Sequence, residues 1–117
     1  MTGPPLDARP DSRPPRDDAA VEKAVRAAYV AGDLDGAVTL VLRTFGPEVL
    51  GFMLALTREH AAAGDAFSEF SIDVWRGLPG FAWRAALRTW LYVLARRAVA
   101  RVKRGGEIFT RVKAGAG

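Results

Sequence analysis

The sequence predicts an all-α protein, a compact bundle of three to four helices preceded by a disordered N-terminal arm. Apolar residues recur at the three- and four-residue spacing that places them on one face of a helix, and no run alternates with the period of two that marks a strand. Turn signals such as Gly32-Asp33 and Pro79-Gly80 separate the helical segments. The chain has 117 residues, half of them apolar, which is enough for one hydrophobic core.

Composition divides the chain into three regions. Residues 1–17 contain five prolines and few sizeable apolar groups, so burial cannot offset the entropy lost on ordering, and we expect a disordered arm. Residues 18–104 form the helical domain. Residues 105–117, which begin with two glycines, are expected to be a frayed basic tail.

The first helix is expected to begin at an aspartate cap, Asp17 or Asp18, and to end before Gly32, a natural C-cap residue. Asp33 then provides the cap for the second helix.

The second helix meets Gly46-Pro47, where two possibilities stay open. Proline costs about 3 kcal/mol in a helix interior but is tolerated in a first turn, so the helix either kinks here or a new one begins at Pro47. The apolar segment that follows is expected to close at Ala61–Gly64.

The third helix is expected to run from Asp65 to Gly77, with two distinct faces. Phe67, Phe70 and Val74 lie together at 100° per residue and should enter the core. The opposite face is polar and carries Asp65, Ser68, Glu69, Asp73 and Arg76. Ile72 lies among these charges, as an apolar anchor does in a protein-binding face, although a single exposed isoleucine needs no functional explanation.

A short aromatic loop follows the Pro79-Gly80 turn. Phe81 and Trp83 stand beside Arg84, the residue types that stack on and hold an unpaired base. The alternative is that both rings fold back into the core as anchors of the loop. The residues alone leave both interpretations open.

The last helix is expected from about Ala85 to Arg104, ending at Gly105-Gly106. Across the whole chain, the residues expected in the core share helical spacing: Val25, Leu34, Val38, Val41, Phe45, Leu50, Leu54, Phe67, Phe70, Val74, Leu87, Leu91, Leu94 and Ala98.

Positive charge is concentrated in the last third of the chain. Nine Lys and Arg follow Phe81 against one acid, Glu107, so this part carries +8 and the total of +4 leaves −4 for residues 1–80. Such asymmetry is a cue for contact with nucleic acid or a membrane at the basic end, and a basic surface gains affinity for phosphates by releasing condensed counterions. The alternative is a solvated basic helix face.

The composition argues against several classes of protein. There is no cysteine and only one histidine, His60, so neither a metal site nor a cofactor is predicted, and no residue constellation supports catalysis. No apolar run reaches the length of a membrane span and no secretory signal is evident, so we expect a cytoplasmic protein without a membrane partner.

One contiguous segment resembles a known family. Residues 87–96 spell LRTWLYVLAR, and upstream lie DAFSE at 65–69 and VWR at 74–76. These motifs resemble region 2 of bacterial RNA polymerase sigma factors, most closely the extracytoplasmic-function type, over roughly residues 20 to 104. The resemblance implies a transcription initiation factor that binds core polymerase through the acidic helix. The loop and last helix would recognise and melt the minus-ten element and hold a flipped non-template base.

The resemblance also assigns residues. The polymerase-binding set is Asp65, Ser68, Glu69 and Arg76, to which the face argument adds Ile72. The DNA-binding set comprises the loop residues Phe81, Trp83, Arg84, Ala85 and Ala86 and the helix residues Arg88, Arg96, Arg97, Arg101 and Arg104. Trp90 matches a family position but is expected to pack. The implied partners are core RNA polymerase, single-stranded promoter DNA and, as a further candidate, an anti-sigma factor.

Departures from the family pattern keep a second function open. Ala85-Ala86 replaces a usual small polar pair, Arg97 stands in place of Asn, and Arg101 in place of Asp. Ser68 replaces Gln, and Asp73 a basic residue. The chain also ends where a linker would begin, so no region 4 is expected. The alternative is therefore a regulator or decoy that binds polymerase without recognising promoters.

Overall fold

Four α-helices and one short 3₁₀ turn form the part of the chain that the computed structural model describes, residues 17–116, with side chains described for 17–106. The elements are α1 (Asp18–Val30), α2 (Leu34–Thr57), α3 (His60–Gly77), the 3₁₀ turn (Leu78–Gly80) and α4 (Leu87–Ala116). No strand occurs within these residues. The all-α prediction is confirmed. The predicted N-terminal arm lies outside the described residues, apart from Asp17.

Aspartate caps fix the beginnings of the first two helices. The Asp17 Oδ1 accepts a hydrogen bond from the Ala20 amide at 3.1 Å, and the Asp33 Oδ1 accepts one from the Gly36 amide at 2.8 Å. Each carboxylate satisfies one of the amides that a helix leaves without a partner in its first turn. Gly32, with φ +85°, supplies the left-handed turn between the two helices.

The second helix continues through Pro47, which resolves the choice that the sequence left open. Residues 34–57 form one α-helix with Pro47 inside it, exposed to solvent. By length and apolar composition alone, α2 would be able to span a membrane. Its inner face, however, supplies Val41, Phe45 and Met53 to the core, and a buried core helix passes the same test.

The third helix begins at His60 rather than Asp65, so the prediction that Ala61–Gly64 close the preceding segment is wrong. The break lies at Arg58, whose backbone is left-handed (φ 61°), and at Glu59, which is extended. The alanines after it are strong helix formers and one of them, Ala63, is buried, so they extend α3 toward its N-terminus.

The fourth helix begins at Leu87, slightly later than expected, and the prediction that it ends at Gly105-Gly106 is wrong. Its backbone continues through both glycines to Ala116. Each glycine costs about 1 kcal/mol relative to alanine in a helix, which weakens a long helix without being enough to end it.

The core lies between the inner faces of all four helices. Ten of the expected core residues are buried, while Leu34, Leu54 and Phe67 are half-buried. Leu50 was wrongly placed in the core, since it is 41% exposed. The inner face of α2 instead follows the four-residue spacing of Phe45, Val49 and Met53, which turns Leu50 outward.

Candidate protein and nucleic-acid interface

The outer face of α3 presents an apolar pair to solvent. Ile72 is 48% exposed and Trp75 is 42% exposed, and their three-residue spacing makes them neighbours on the helix surface. Glu69, Asp73 and Arg76 surround Ile72, and together with Arg101 of α4 they line a shallow hollow of about 490 Å³. Apolar groups within a charged rim are the arrangement expected of a protein-binding surface.

Arg101 does not point freely into solvent but bridges α4 to the acidic face of α3. Its Nε lies 2.7 Å from the Glu69 Oε1, and its Nη2 lies 2.6 Å from the Asp73 Oδ2. Hydrogen bonds to Asp73 and then to Glu69 raise the pKa of Arg101 above its ordinary value. One of the cations assigned to DNA is thus engaged, within this structure, by carboxylates of the α3 face.

The remaining two predicted polymerase-binding residues lie next to this hollow. Asp65 and Ser68 are exposed and line a groove of about 970 Å³ between α3 and the second half of α4. Glu69 lines both depressions and joins them. The five residues therefore form one continuous strip along α3, as the sequence placed them.

The loop between α3 and α4 contains an inner aromatic stack. The Phe81 ring stacks on Trp90, with centroids 4.7 Å apart and planes at 23°, and Trp83 tilts against Phe81 at 4.9 Å. All three rings are half-buried against the core. Packing is therefore one role of Phe81 and Trp83, although part of each ring still faces solvent.

The second half of the loop faces outward. Arg84, Ala85 and Ala86 are exposed, and α4 begins directly after them. The two alanines offer no polar side-chain atom to a base, so hydrogen bonding from this strip would have to come from Arg84 and the backbone.

Residues of α1 that sequence reasoning missed hold the loop from behind. The Glu22 Oε2 accepts a hydrogen bond from the Leu87 amide at 2.8 Å, and the Arg26 guanidinium lies 5.3 Å from the centroid of the Trp83 ring. The Tyr29 hydroxyl donates to the Pro79 carbonyl at 3.4 Å. Their spacing along α1 was the only available signal, and it is also that of an ordinary solvated helix face.

The α4 arginines assigned to DNA, other than Arg101, fall into two groups. Arg88 forms an ion pair with Glu48 at 2.7 Å and lies 3.8 Å from Asp18, and the Arg96 guanidinium lies over the Phe52 ring at 5.7 Å. Tyr92 donates a hydrogen bond to Glu48 as well, at 2.7 Å. These contacts brace α4 against α1 and α2.

Arg97 and Arg104 form the second group. Both are exposed and make no ion pair with any side chain in residues 17–106. They are therefore the α4 cations, among those assigned to DNA, that are best placed to bind phosphate. No group of three potential metal ligands occurs among the same described residues.

Comparison with protein-family models identified a match. Residues 41–106 match the family model described as Sigma-70 region 2. This segment includes most of α2, all of α3, the aromatic loop and the first part of α4, whereas α1 precedes it. No curated protein and no solved structure matches the chain.

Proposed function

The chain belongs to the Sigma-70 region 2 family, whose domains bind RNA polymerase and recognise the minus-ten promoter element. We propose that two different surfaces of this chain bind these two partners. The α3 strip binds the clamp helices of core polymerase. The loop and the exposed cations of α4 bind the single non-template strand of the melted element. We propose further that the protein is of the extracytoplasmic-function type, on the strength of the LRTWLYVLAR segment at 87–96. The family is one of cytoplasmic transcription factors rather than enzymes.

The exposed Ile72–Trp75 pair is the observation that carries the polymerase assignment. Both side chains lie outside the core although they are large and apolar, and acidic and basic side chains surround Ile72. An apolar centre supplies most of the binding energy of an interface, and the charged rim supplies orientation. Ile72 offers an apolar contact to a partner helix, and the charged side chains that line the rest of the hollow can pair with polar groups of that partner.

Polymerase binding can be tested by changing Ile72 alone. Ile72→Asp places a charge where an apolar contact would be desolvated, and we expect binding to immobilised core RNA polymerase to weaken at least about tenfold. Leu56→Asp is the matched control, since Leu56 is similarly exposed (41%) but lies on α2. Equal binding by both variants and the unchanged protein would exclude the α3 face as the polymerase surface.

The assignment of DNA binding is supported by the exposed loop residues 84–86 and by the exposed Arg97 and Arg104. Stacking on an aromatic ring contributes about 1–3 kcal/mol per base, and each phosphate contact makes binding more sensitive to salt. Trp83→Ala should therefore lower affinity for a labelled single strand with little change in the salt dependence. Arg97→Ala combined with Arg104→Ala should reduce the salt dependence itself. Fluorescence anisotropy in the presence of core polymerase measures both quantities.

A regulator that binds polymerase without recognising a promoter is the second candidate. Two observations favour it: Ala85 and Ala86 offer no polar side-chain group to a base, and Arg88 and Arg101 are engaged by carboxylates. The anisotropy titrations with single-stranded DNA distinguish this regulator from an initiation factor. Polymerase binding combined with equal affinity for every single strand, unaffected by Trp83→Ala, would establish the regulator.

A further inference from the structure

One face of α1 contacts the aromatic loop at its beginning, middle and end. Glu22, Arg26 and Tyr29 are separated by four and three residues, so their side chains emerge on the same side of the helix. Tyr29 reaches the Pro79 carbonyl just before the loop, Arg26 covers the Trp83 ring, and Glu22 binds the Leu87 amide just after it. The loop is thus held at three points by a helix that precedes it by 50 to 65 residues.

The contact with Glu22 determines where the loop ends. The first amides of a helix have no partner within the helix, and a carboxylate at this position also interacts favourably with the helix dipole. Residue 86, which precedes α4, is an alanine and cannot supply a side-chain cap. The carboxylate of Glu22 therefore provides, from another helix, the cap that the loop itself lacks.

The contact with Arg26 acts on a residue with an unusual backbone. Trp83 has φ 61°, a left-handed conformation that bulky side chains rarely adopt. Such a conformation persists only where the surroundings hold it, and the surroundings here are Phe81 on one side and the Arg26 guanidinium over the ring. Between α1 and Trp83 lies an open groove of about 500 Å³, to which Lys23 and Val30 also contribute.

We infer that α1 is a positioning helix for nucleic-acid recognition: Glu22, Arg26 and Tyr29 hold the Phe81–Ala86 loop in the conformation that distinguishes one unpaired base from another. The inference rests on the DNA-binding role proposed above and goes beyond it, because α1 lies outside the segment that matches the family model. None of the three residues needs to contact the strand. Their removal should reduce selectivity among bases more than it reduces affinity for phosphates.

The test compares affinities for two single strands in the complex with core RNA polymerase. A strand preferred by the unchanged full-length chain is first selected from a random pool, and a second strand differs from it at the single most discriminating base. We expect Glu22→Ala, which removes a charge-assisted hydrogen bond, to reduce the ratio of the two affinities by about tenfold. Arg26→Ala removes an exposed cation–π contact and should reduce the ratio by about two- to fivefold. Glu22→Gln, which keeps a hydrogen-bond acceptor, should retain most of the ratio.

Lys23→Ala is the matched control for charge. Lys23 belongs to the same helix and lines the same groove, so its removal changes the electrostatic field as Arg26→Ala does. We expect Lys23→Ala to leave the ratio of affinities unchanged. If Arg26→Ala and Lys23→Ala both weaken binding to the two strands equally, the role of Arg26 is electrostatic and the positioning inference is overturned.

A readout without DNA separates this inference from the proposed function. In the free protein, Glu22→Ala should accelerate hydrogen exchange of the Leu87 amide and shift the indole resonance of Trp83, identified with Trp83→Phe. Those changes combined with an undiminished affinity ratio would overturn the positioning role while leaving DNA recognition intact. An unchanged protein that prefers no base would overturn both. Tyr29→Phe removes only the hydroxyl that donates to the Pro79 carbonyl and should lower the ratio in the same direction, which keeps the test decisive should an alanine variant fail to fold.

Discussion

Gly77, the last residue of α3, allows Trp90 of α4 to approach closely, and replacing it with alanine should strain the whole aromatic stack. A Cβ at this position would lie 2.8 Å from Cζ2 of Trp90 and 3.4 Å from its Cη2. The ring cannot easily retreat, because its other contacts include Phe81, stacked at 4.7 Å. Gly77→Ala therefore tests whether the stack is a rigid part of the fold.

Two opposing terms set the magnitude. Forcing an additional methyl group into a packed site costs about 1–3 kcal/mol. Replacing a glycine by alanine at a helical position returns about 0.4–1 kcal/mol through the lower entropy of the unfolded chain. We expect the free energy of unfolding to fall by about 1–2 kcal/mol. For a domain of this size, each kcal/mol lost lowers the Tm by about 4–8 °C.

Thermal denaturation followed by circular dichroism measures this change, and the near-ultraviolet signal reports the displaced tryptophan. Gly64→Ala is the matched control on the same helix, since a Cβ there has nothing within 4 Å. It should stabilise the protein slightly. If Gly77→Ala is at least as stable as the unchanged protein and leaves the aromatic signal intact, Trp90 is free to move and the reasoning about a rigid stack is refuted.

Two further predictions concern the polar contacts that brace α4. Arg101→Ala removes the ion pairs with Glu69 and Asp73. Because all three groups are partly exposed, the free energy of unfolding should fall by about 1 kcal/mol or less. Urea titrations at low and high salt measure the loss, which should be smaller in high salt. Tyr92→Phe removes the hydroxyl that donates to Glu48 at 2.7 Å and should cost about 1–2 kcal/mol in the same titration. A loss well above about 1 kcal/mol for Arg101→Ala, or a Tyr92→Phe variant as stable as the unchanged protein, would contradict these estimates.

The features that could be predicted best from the sequence are those that depend on one helix alone. The caps at Asp17 and Asp33 were predictable because the aspartate and the amide that it binds are three residues apart. The inner faces of α3 and α4 were predictable because each helix has one apolar stripe. Leu50 was misplaced because α2 is apolar on more than one side, so periodicity alone could not choose between neighbouring faces.

Features that depend on two helices could not be predicted. The beginning of α4 at Leu87 depends on the carboxylate of Glu22, which lies 65 residues earlier. The engagement of Arg88 by Glu48 and of Arg101 by Glu69 likewise requires knowing which helices pack together. A basic residue in the sequence indicates a possible phosphate contact, but only the fold shows whether an internal carboxylate already binds it.

The attachment of the loop to α1 has a consequence for the order of folding. The side-chain hydrogen bonds that join α2 and α3 to α4 close segments of 28 to 44 residues, whereas the Tyr29–Pro79 and Glu22–Leu87 contacts close segments of 50 and 65 residues. Closing long segments costs entropy before any contact compensates for it, so these contacts form late. Changes in Glu22 should therefore accelerate unfolding while leaving the folding rate nearly unchanged. We therefore expect the surface proposed to read a base to become ordered late in folding and to be among the first parts of the molecule to open.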